Sequence, residues 1–224
     1  MSGDLAKGGS FLAKALLGIS AGPSEQLIEQ MLGLKPTVVL TIGHSTRALD
    51  KFIGLLQAHA VSRVVDVRTV PRSRHNPQFN QHSLPDSLKN AGLGYVHLPG
   101  LGGLRHAKRD SINVGWRNAS FRGYADYMQT PEFERGLEEL IQLAKQEQIA
   151  IMCAEALPWP CHRSLIADAL LVRGIGTEDI MSLTHRSVHT LTPFAKVRGT
   201  SVIYPREIRR DVKSKCHLNA RVAP

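Results

Sequence analysis

The chain reads as an α/β domain with a mainly parallel sheet flanked by helices. Three observations predict this. Short apolar runs typical of buried strands alternate with segments of helical periodicity. Such alternation favours crossover connections, and so parallel pairing. The polar motifs fall directly after the apolar runs, at the carboxyl ends of the expected strands, where open α/β sheets bind their ligands.

The elements follow in order. Residues 1–36 form an expected helical extension, in which Ser24 caps a helix carrying Leu27, Ile28, Met31 and Leu32 and Gly33 stops it. The main domain is expected over 37–205. Its first strand is Val38 to Ile42, followed by Gly43-His44-Ser45-Thr46 and a helix with Leu49, Phe52, Ile53, Leu55 and Leu56 on one face. Arg63 to Arg68 is the second strand, and a polar loop, Pro71 to Pro77, leaves it. A helix over His82–Ala91 and a strand near Tyr95–Leu98 come next, then the loop Gly100 to Arg105. Gly115-Trp116-Arg117-Asn118 and Phe121-Arg122-Gly123-Tyr124 form a polar, aromatic segment. Thr130 and Pro131 are a strong helix start, ahead of Phe133, Leu137, Leu140, Ile141 and Ala144. Ile149 to Met152 is a strand. Pro158 and Pro160 break the chain after it, and a helix with Leu165, Ile166, Ala169 and Leu170 ends near Gly174. A short strand at Asp179–Leu183 and a closing segment from Leu191 to Tyr204 complete the domain.

The net charge of +9 is unevenly spread. Residues 206–224 hold six Arg/Lys against two Asp/Glu, whereas residues 1–36 balance three against three. A basic tail points to an anionic partner, either an anionic small molecule or nucleic acid. Three cysteines are too few for a disulfide framework and favour a reducing, cytoplasmic setting. No run of 18 apolar residues predicts a membrane span, and Lys14 interrupts the apolar stretch Phe11–Ala21 that a signal peptide would need. The oligomeric state is not legible.

The densest chemistry lies in Cys153 to Arg163. Cys161 and His162 fall at a helix start, whose free N–H groups and partial positive charge favour a thiolate or a bound anion. Three readings stay open. Cys161 is a nucleophile with His44 or His162 as base; Cys153, Cys161 and His162 hold zinc or iron; or both cysteines are small buried hydrophobes. Glu155 is a candidate acid/base group. Arg68, Arg72, Arg74 and Arg163 are candidate phosphate or carboxylate clamps, with Ser45 and Arg117 as further anion contacts. Asp66 can equally pair with Arg68 or Arg163 as structure. Trp116, Arg117, Tyr124 and Tyr127 have the composition of a base-stacking platform or of local packing. Gly102-Gly103 lacks dinucleotide and P-loop spacing, so no dinucleotide is expected. Cys216 reads as an idle thiol.

The same motifs carry a resemblance. Thr41 to Ser45, Val65 to Arg68, Pro71 to Arg74 with Asn76 to Phe79, Leu101 to Gly103, Gly115 to Asn118, Phe121 to Met128, and Met152 to Glu155 with Cys161 to Arg163 together resemble the domain of unknown function 488 (DUF488) family. The resemblance implies a single Rossmann-like domain over roughly residues 37–205 and no defined reaction. The function expected on these grounds is an α/β enzyme, thiol- or metal-dependent, binding a phosphate-bearing substrate at the carboxyl edge of its sheet. The alternative is a non-catalytic nucleic-acid-binding module built on the tail and the arginine loop.

Overall fold

The structure is a computed structural model that describes residues 36–159 and 161–206. The expected extension (1–36), the tail (206–224) and Cys216 lie wholly or almost wholly outside the described residues. Eight strands are described: β1 (Val38–Gly43), β2 (Arg63–Asp66), β3 (Gly94–His97), β4 (Ile149–Cys153), β5 (Gly176–Ile180), β6 (Arg186–Val188), β7 (Lys196–Arg198) and β8 (Ser201–Ile203). The α-helices are α1 (Leu49–Ala58), α2 (Leu84–Asn90), α3 (Ala119–Tyr127), α4 (Pro131–Gln146) and α5 (Arg163–Leu171). One six-stranded sheet runs β3-β2-β4-β1-β5-β6, and β7 pairs with β8 in a separate hairpin. The first five strands of the large sheet pair in parallel, and β6 is antiparallel to β5. This is the mainly parallel α/β sheet that the alternation predicts, in the Rossmann-like form that the resemblance implies.

The sheet is covered on both faces, which is why β4 in the centre is buried along its whole length. Alternate strand residues point to opposite faces. Leu40, Ile42, Val64, Ala150 and Met152 pack with Phe52, Leu55 and Leu56 of α1 and with Leu84 and Leu88 of α2. Val39, Val65, Ile149 and Ile151 pack with α3, α4 and α5 through Tyr124, Phe133, Leu137, Leu165 and Leu170.

Local chemistry sets the element ends. Thr130 Oγ1 accepts the Phe133 N–H, and Pro131 opens α4. Gly174, at φ +77°, closes the turn after α5. The polar, aromatic segment contains a helix that periodicity alone does not reveal. Asn118 caps α3, with its Oδ1 accepting the N–H groups of Ser120 and Phe121. β5 begins three residues earlier than expected, because Gly176 and Thr177 already pair with Val38 and Val39.

The segment after β6 is held to α5 by one carboxylate. Asp168 is fully buried and accepts from His189 Nε2 (2.7 Å), the Thr192 N–H (3.0 Å) and the Tyr204 hydroxyl (2.8 Å). Replacing it leaves one buried and two part-buried donors unpaired. Asp168→Ala is expected to cost about 3–5 kcal/mol in chemical denaturation; a loss below about 1 kcal/mol would show that water satisfies these groups instead.

Candidate functional site

The parallel order places the exits of β1, β2 and β4 side by side, since β4 lies between the other two. Gly43, the last residue of β1, pairs with Cys153, the last of β4. The N–H groups of His44 and Ser45 then donate to the carbonyls of Cys153 and Ala154, both at 2.9 Å. The two exits run so close that a Cβ at position 43 would lie 1.7 Å from the Glu155 carbonyl oxygen, so only glycine fits there. After residues 154–160 the chain enters α5, with His162 at the N-cap and Cys161 before it, its N–H donating to the Pro158 carbonyl.

Cys153 and Cys161 are buried free thiols, and His162 lies against both. Its Nδ1 is 3.8 Å from Cys153 Sγ and 3.7 Å from Cys161 Sγ. The other ring nitrogen, Nε2, is 3.0 Å from the Val67 carbonyl. That carbonyl can only accept, so Nε2 carries the hydrogen and Nδ1 faces the two sulfurs. The three ligating atoms lie within 4.8 Å of one another. Gly103 makes room for the ring, since a Cβ there would be 2.6 Å from Nδ1. Gly102 is equally constrained by Thr69. The glycine pair therefore serves close approach.

Two buried arginines frame the cluster. Arg163, 1% exposed, donates from Nε to Cys161 Sγ (3.4 Å), from Nη1 to Thr41 Oγ1 (2.9 Å), and from Nη2 to the carbonyls of Glu155 (2.8 Å) and Leu157 (3.3 Å). It forms no ion pair with any described carboxylate. Asp179 lies one step further, accepting from the Thr41 hydroxyl. Burial holds the Asp179 carboxyl above its ordinary value, against the hydrogen bond from Thr41 and the charge of Arg163. Arg68 is neutralised instead. Its Nε and Nη2 donate to both oxygens of Asp66 (2.9 and 2.6 Å), Nη2 also reaches the Phe79 carbonyl, and Nη1 lies 3.1 Å from His44 Nε2. Asp66 thus pairs with Arg68, and it also accepts from the Tyr95 hydroxyl at 2.9 Å.

His44 is wedged between these groups. It stacks on Phe79 with ring centroids 4.3 Å apart, and its Nδ1 lies 2.8 Å from the Ser45 carbonyl. With Nδ1–H donating to that carbonyl and Nε2 accepting from Arg68, both nitrogens of the neutral ring are occupied. Burial pulls its pKa from 6.5 to about 4, with the Arg68 charge adding to the effect and the Ser45 carbonyl opposing it. A hydrogen bond from the Cys153 thiol, with His162 and Arg163 beside it, draws the Cys161 thiol well below its ordinary value despite burial. Cys153, which makes that bond from a buried position, is pushed well above.

These groups meet in a cleft of about 550 Å³. Its lining includes His44, Ser45, Arg68, Arg72, Cys153, Glu155, Cys161 and His162. Among the described residues, Glu155 is the only carboxylate in that lining. Arg72 is exposed on the cleft wall and forms no ion pair with a described carboxylate. Arg163 acts from behind the lining. Arg74 is exposed and outside it. Arg117 lies elsewhere, in a second hollow with Val114, Phe194 and Arg206. The expected aromatic platform is mostly packing. Trp116 lies against Phe121, Phe194 and Tyr204, and Tyr127 holds Arg105 over its ring at 3.7 Å. Tyr124 donates from its hydroxyl to the Leu101 carbonyl, though Phe121 and Tyr124 both reach the cleft. Thr41, Phe79, Tyr95 and Asp179 complete the site, although no site role was expected of them from the sequence; their apolar or strand-like settings hide that role until the pairing is known.

The profile of the family described as Domain of unknown function DUF488 matches residues 48–170, more than half of the chain. The chain belongs to the DUF488 family. The matched span holds Arg68, Arg72, Cys153, Glu155, Cys161, His162 and Arg163, while Gly43, His44 and Ser45 precede it. No curated protein and no solved structure matches the chain. No described helix is long and apolar enough to cross a membrane. In this DUF488 protein, then, family membership adds no reaction to the geometry.

The His44 environment has a measurable consequence. Its folded pKa lies below the unfolded value, so between pH 6.5 and about 4 the unfolded chain binds more protons. Stability is therefore expected to fall as pH drops through that window, by up to about 3 kcal/mol from this residue alone. Denaturation of the native protein and of His44→Asn at several pH values checks it: the native curve should lose more stability on acidification than the variant, and parallel losses would overturn the assignment.

Proposed function

We propose that this DUF488 protein is a metal-dependent enzyme acting on an anionic substrate, with Cys153, Cys161 and His162 as ligands of a thiophilic divalent cation such as zinc. The observation that carries the reading is the position of His162 Nδ1, nearly equidistant from two sulfurs. Tetrahedral zinc with ordinary bond lengths separates sulfur from nitrogen by about 3.6 Å, and the distances here are 3.7 and 3.8 Å. The Val67 carbonyl supports the assignment, because ligating histidines commonly donate their second N–H to such an acceptor. All three ligands border the cleft, so a fourth position faces the substrate space, as catalytic sites require. Arg72 supplies an uncommitted cation to bind the substrate's negative charge.

Protein purified without a metal-binding tag is expected to carry about one zinc per chain, and cobalt substitution to give tetrahedral thiolate-to-metal absorption. Cys161→Ser and His162→Ala should each weaken metal binding by at least about 100-fold. Absence of both stoichiometric metal and the cobalt spectrum would end this reading. Arg72→Ala should weaken binding of inorganic phosphate by about 10-fold or more while leaving the cobalt spectrum in place; unchanged phosphate binding would remove Arg72 from the substrate site.

A second reading has its own observation. Arg163 is a buried cation whose only contact of potentially negative charge is Cys161 Sγ, which suits a metal-free thiolate nucleophile. Alkylation with and without a chelator separates the two. On the metal reading, chelation speeds labelling of both Cys153 and Cys161; on the thiolate reading, Cys161 reacts alone and the chelator changes nothing.

A further inference from the structure

Glu155 is held by its backbone and left free at its carboxylate. Its carbonyl accepts from buried Arg163 at 2.8 Å and presses against Gly43. The carboxylate makes no hydrogen bond or ion pair to any described residue, and among the described residues it is the one acid lining a cleft that also carries Arg72 and several hydroxyls. A fixed backbone with an uncommitted carboxylate suits a group that exchanges protons with a bound reactant.

The order of residues adds a second, independent observation. Cys153-Ala154-Glu155 places a carboxylate two positions after the first sulfur ligand, and Pro160-Cys161 supplies the second ligand. Zinc-dependent deaminases use a similar order: a ligand, a glutamate two residues on that is not itself a ligand, then Pro-Cys and a second ligating cysteine three residues later, where this chain has Ser164. This chain departs at the third ligand, which is the adjacent His162 in place of a further cysteine. The departure keeps three ligands and one open position.

We infer that Glu155 is the general acid/base of a hydrolytic deamination, and that the substrate is a nucleoside monophosphate bearing an amino-substituted base. The inference rests on the metal reading above. Cys153, Cys161 and His162 would hold the metal, which would supply an acidified water. Glu155 takes a proton from that water, whose oxygen bonds to the ring carbon that carries the amino group as the ring carbon–nitrogen π bond opens. Glu155 passes that proton to a ring nitrogen and relays the second water proton to the amino nitrogen. The carbon–nitrogen bond breaks with its electron pair, ammonia leaves and the ring carbonyl forms. One water is consumed, one ammonia is released, and nothing is oxidised or reduced. Half-buried Phe121 offers aromatic surface to the base, Arg72 meets the phosphate, and Ser45, Ser73 and Asn76 offer hydrogen bonds to polar base edges. A cleft of about 550 Å³ has the volume for one such molecule.

The test uses the zinc- or cobalt-loaded full chain with the monophosphates of cytidine, adenosine and guanosine. Expected are a shift of the cobalt bands on adding a nucleotide, release of ammonia from at least one of the three, and a product whose mass shows an amino group exchanged for oxygen. Glu155→Gln should keep its metal and the nucleotide-induced shift while turnover falls by about 10²–10⁴-fold. Cobalt bands that form and shift, with no ammonia from any of the three, would overturn the deamination alone and leave the metal site standing. Equal turnover by Glu155→Gln would remove Glu155 from its role. A native chain giving no cobalt bands at all would end the metal assignment, and this inference with it.

Discussion

Arg163 is the cation on which the carboxyl edge of the sheet is assembled. Burying a guanidinium is costly unless its donors are satisfied and its charge is met. Here the donors reach Thr41 on β1, two carbonyls of the loop after β4, and Cys161 at the entry to α5. One side chain thus fixes the separation between β1, the Pro-rich loop and α5. The site residues are the very groups that satisfy it. A change at Arg163 would leave several acceptors unpaired and release the loop that carries Glu155, so the fold and the site cannot be separated at this point.

The second arginine solves the same problem differently, and the contrast organises the cleft. Arg68 is held bidentately by Asp66, which frees one edge of the guanidinium to fix His44. His44 stays neutral because burial and a neighbouring cation both oppose its protonation. With both nitrogens occupied, it serves as a rigid wall. Arg47 donates to the Gly43 carbonyl, and burial followed by the Arg163 charge lowers its pKa. The positive groups behind the cleft are therefore engaged in structure, and among the described residues Arg72 is the one exposed arginine of the lining.

Much of this was legible in the chain because the strand exits carry their own chemistry. Ile149 to Met152 announces a buried strand, and the prolines and the α5 pattern place Cys161 and His162 at a helix start; parallel pairing then brings Gly43 beside Cys153. What stayed hidden depends on pairing partners. Asp66 offered two arginines, and only the local turn back toward Arg68 decides between them. Gly102 and Gly103 read as a flexible loop, yet contact with Thr69 and His162 dictates them. Arg117 shares a polar segment with cleft residues, but the Asn118 cap starts α3 just beyond it and leaves it on another surface. The helix α3 itself is masked by its arginine and polar residues, since propensity is weak where tertiary packing decides.

Charge counting gives the cluster its last constraint. Two buried thiols beside one buried arginine can accommodate a single ionised sulfur, because a second negative charge would face the first across less than 4.8 Å. The metal-free arrangement accordingly divides the pair into one sulfur that sheds its proton readily and one that holds it. A divalent cation removes that division. In the proposed metal-bound form it would replace that proton, let both sulfurs ionise and leave the three ligands and the metal neutral together, with Arg163 facing Asp179 through Thr41. His162 Nδ1 adds a ligand without adding charge, which a third thiolate could not do. On the metal reading proposed above, Cys-Cys-His is a donor set that suits a site already holding one buried guanidinium.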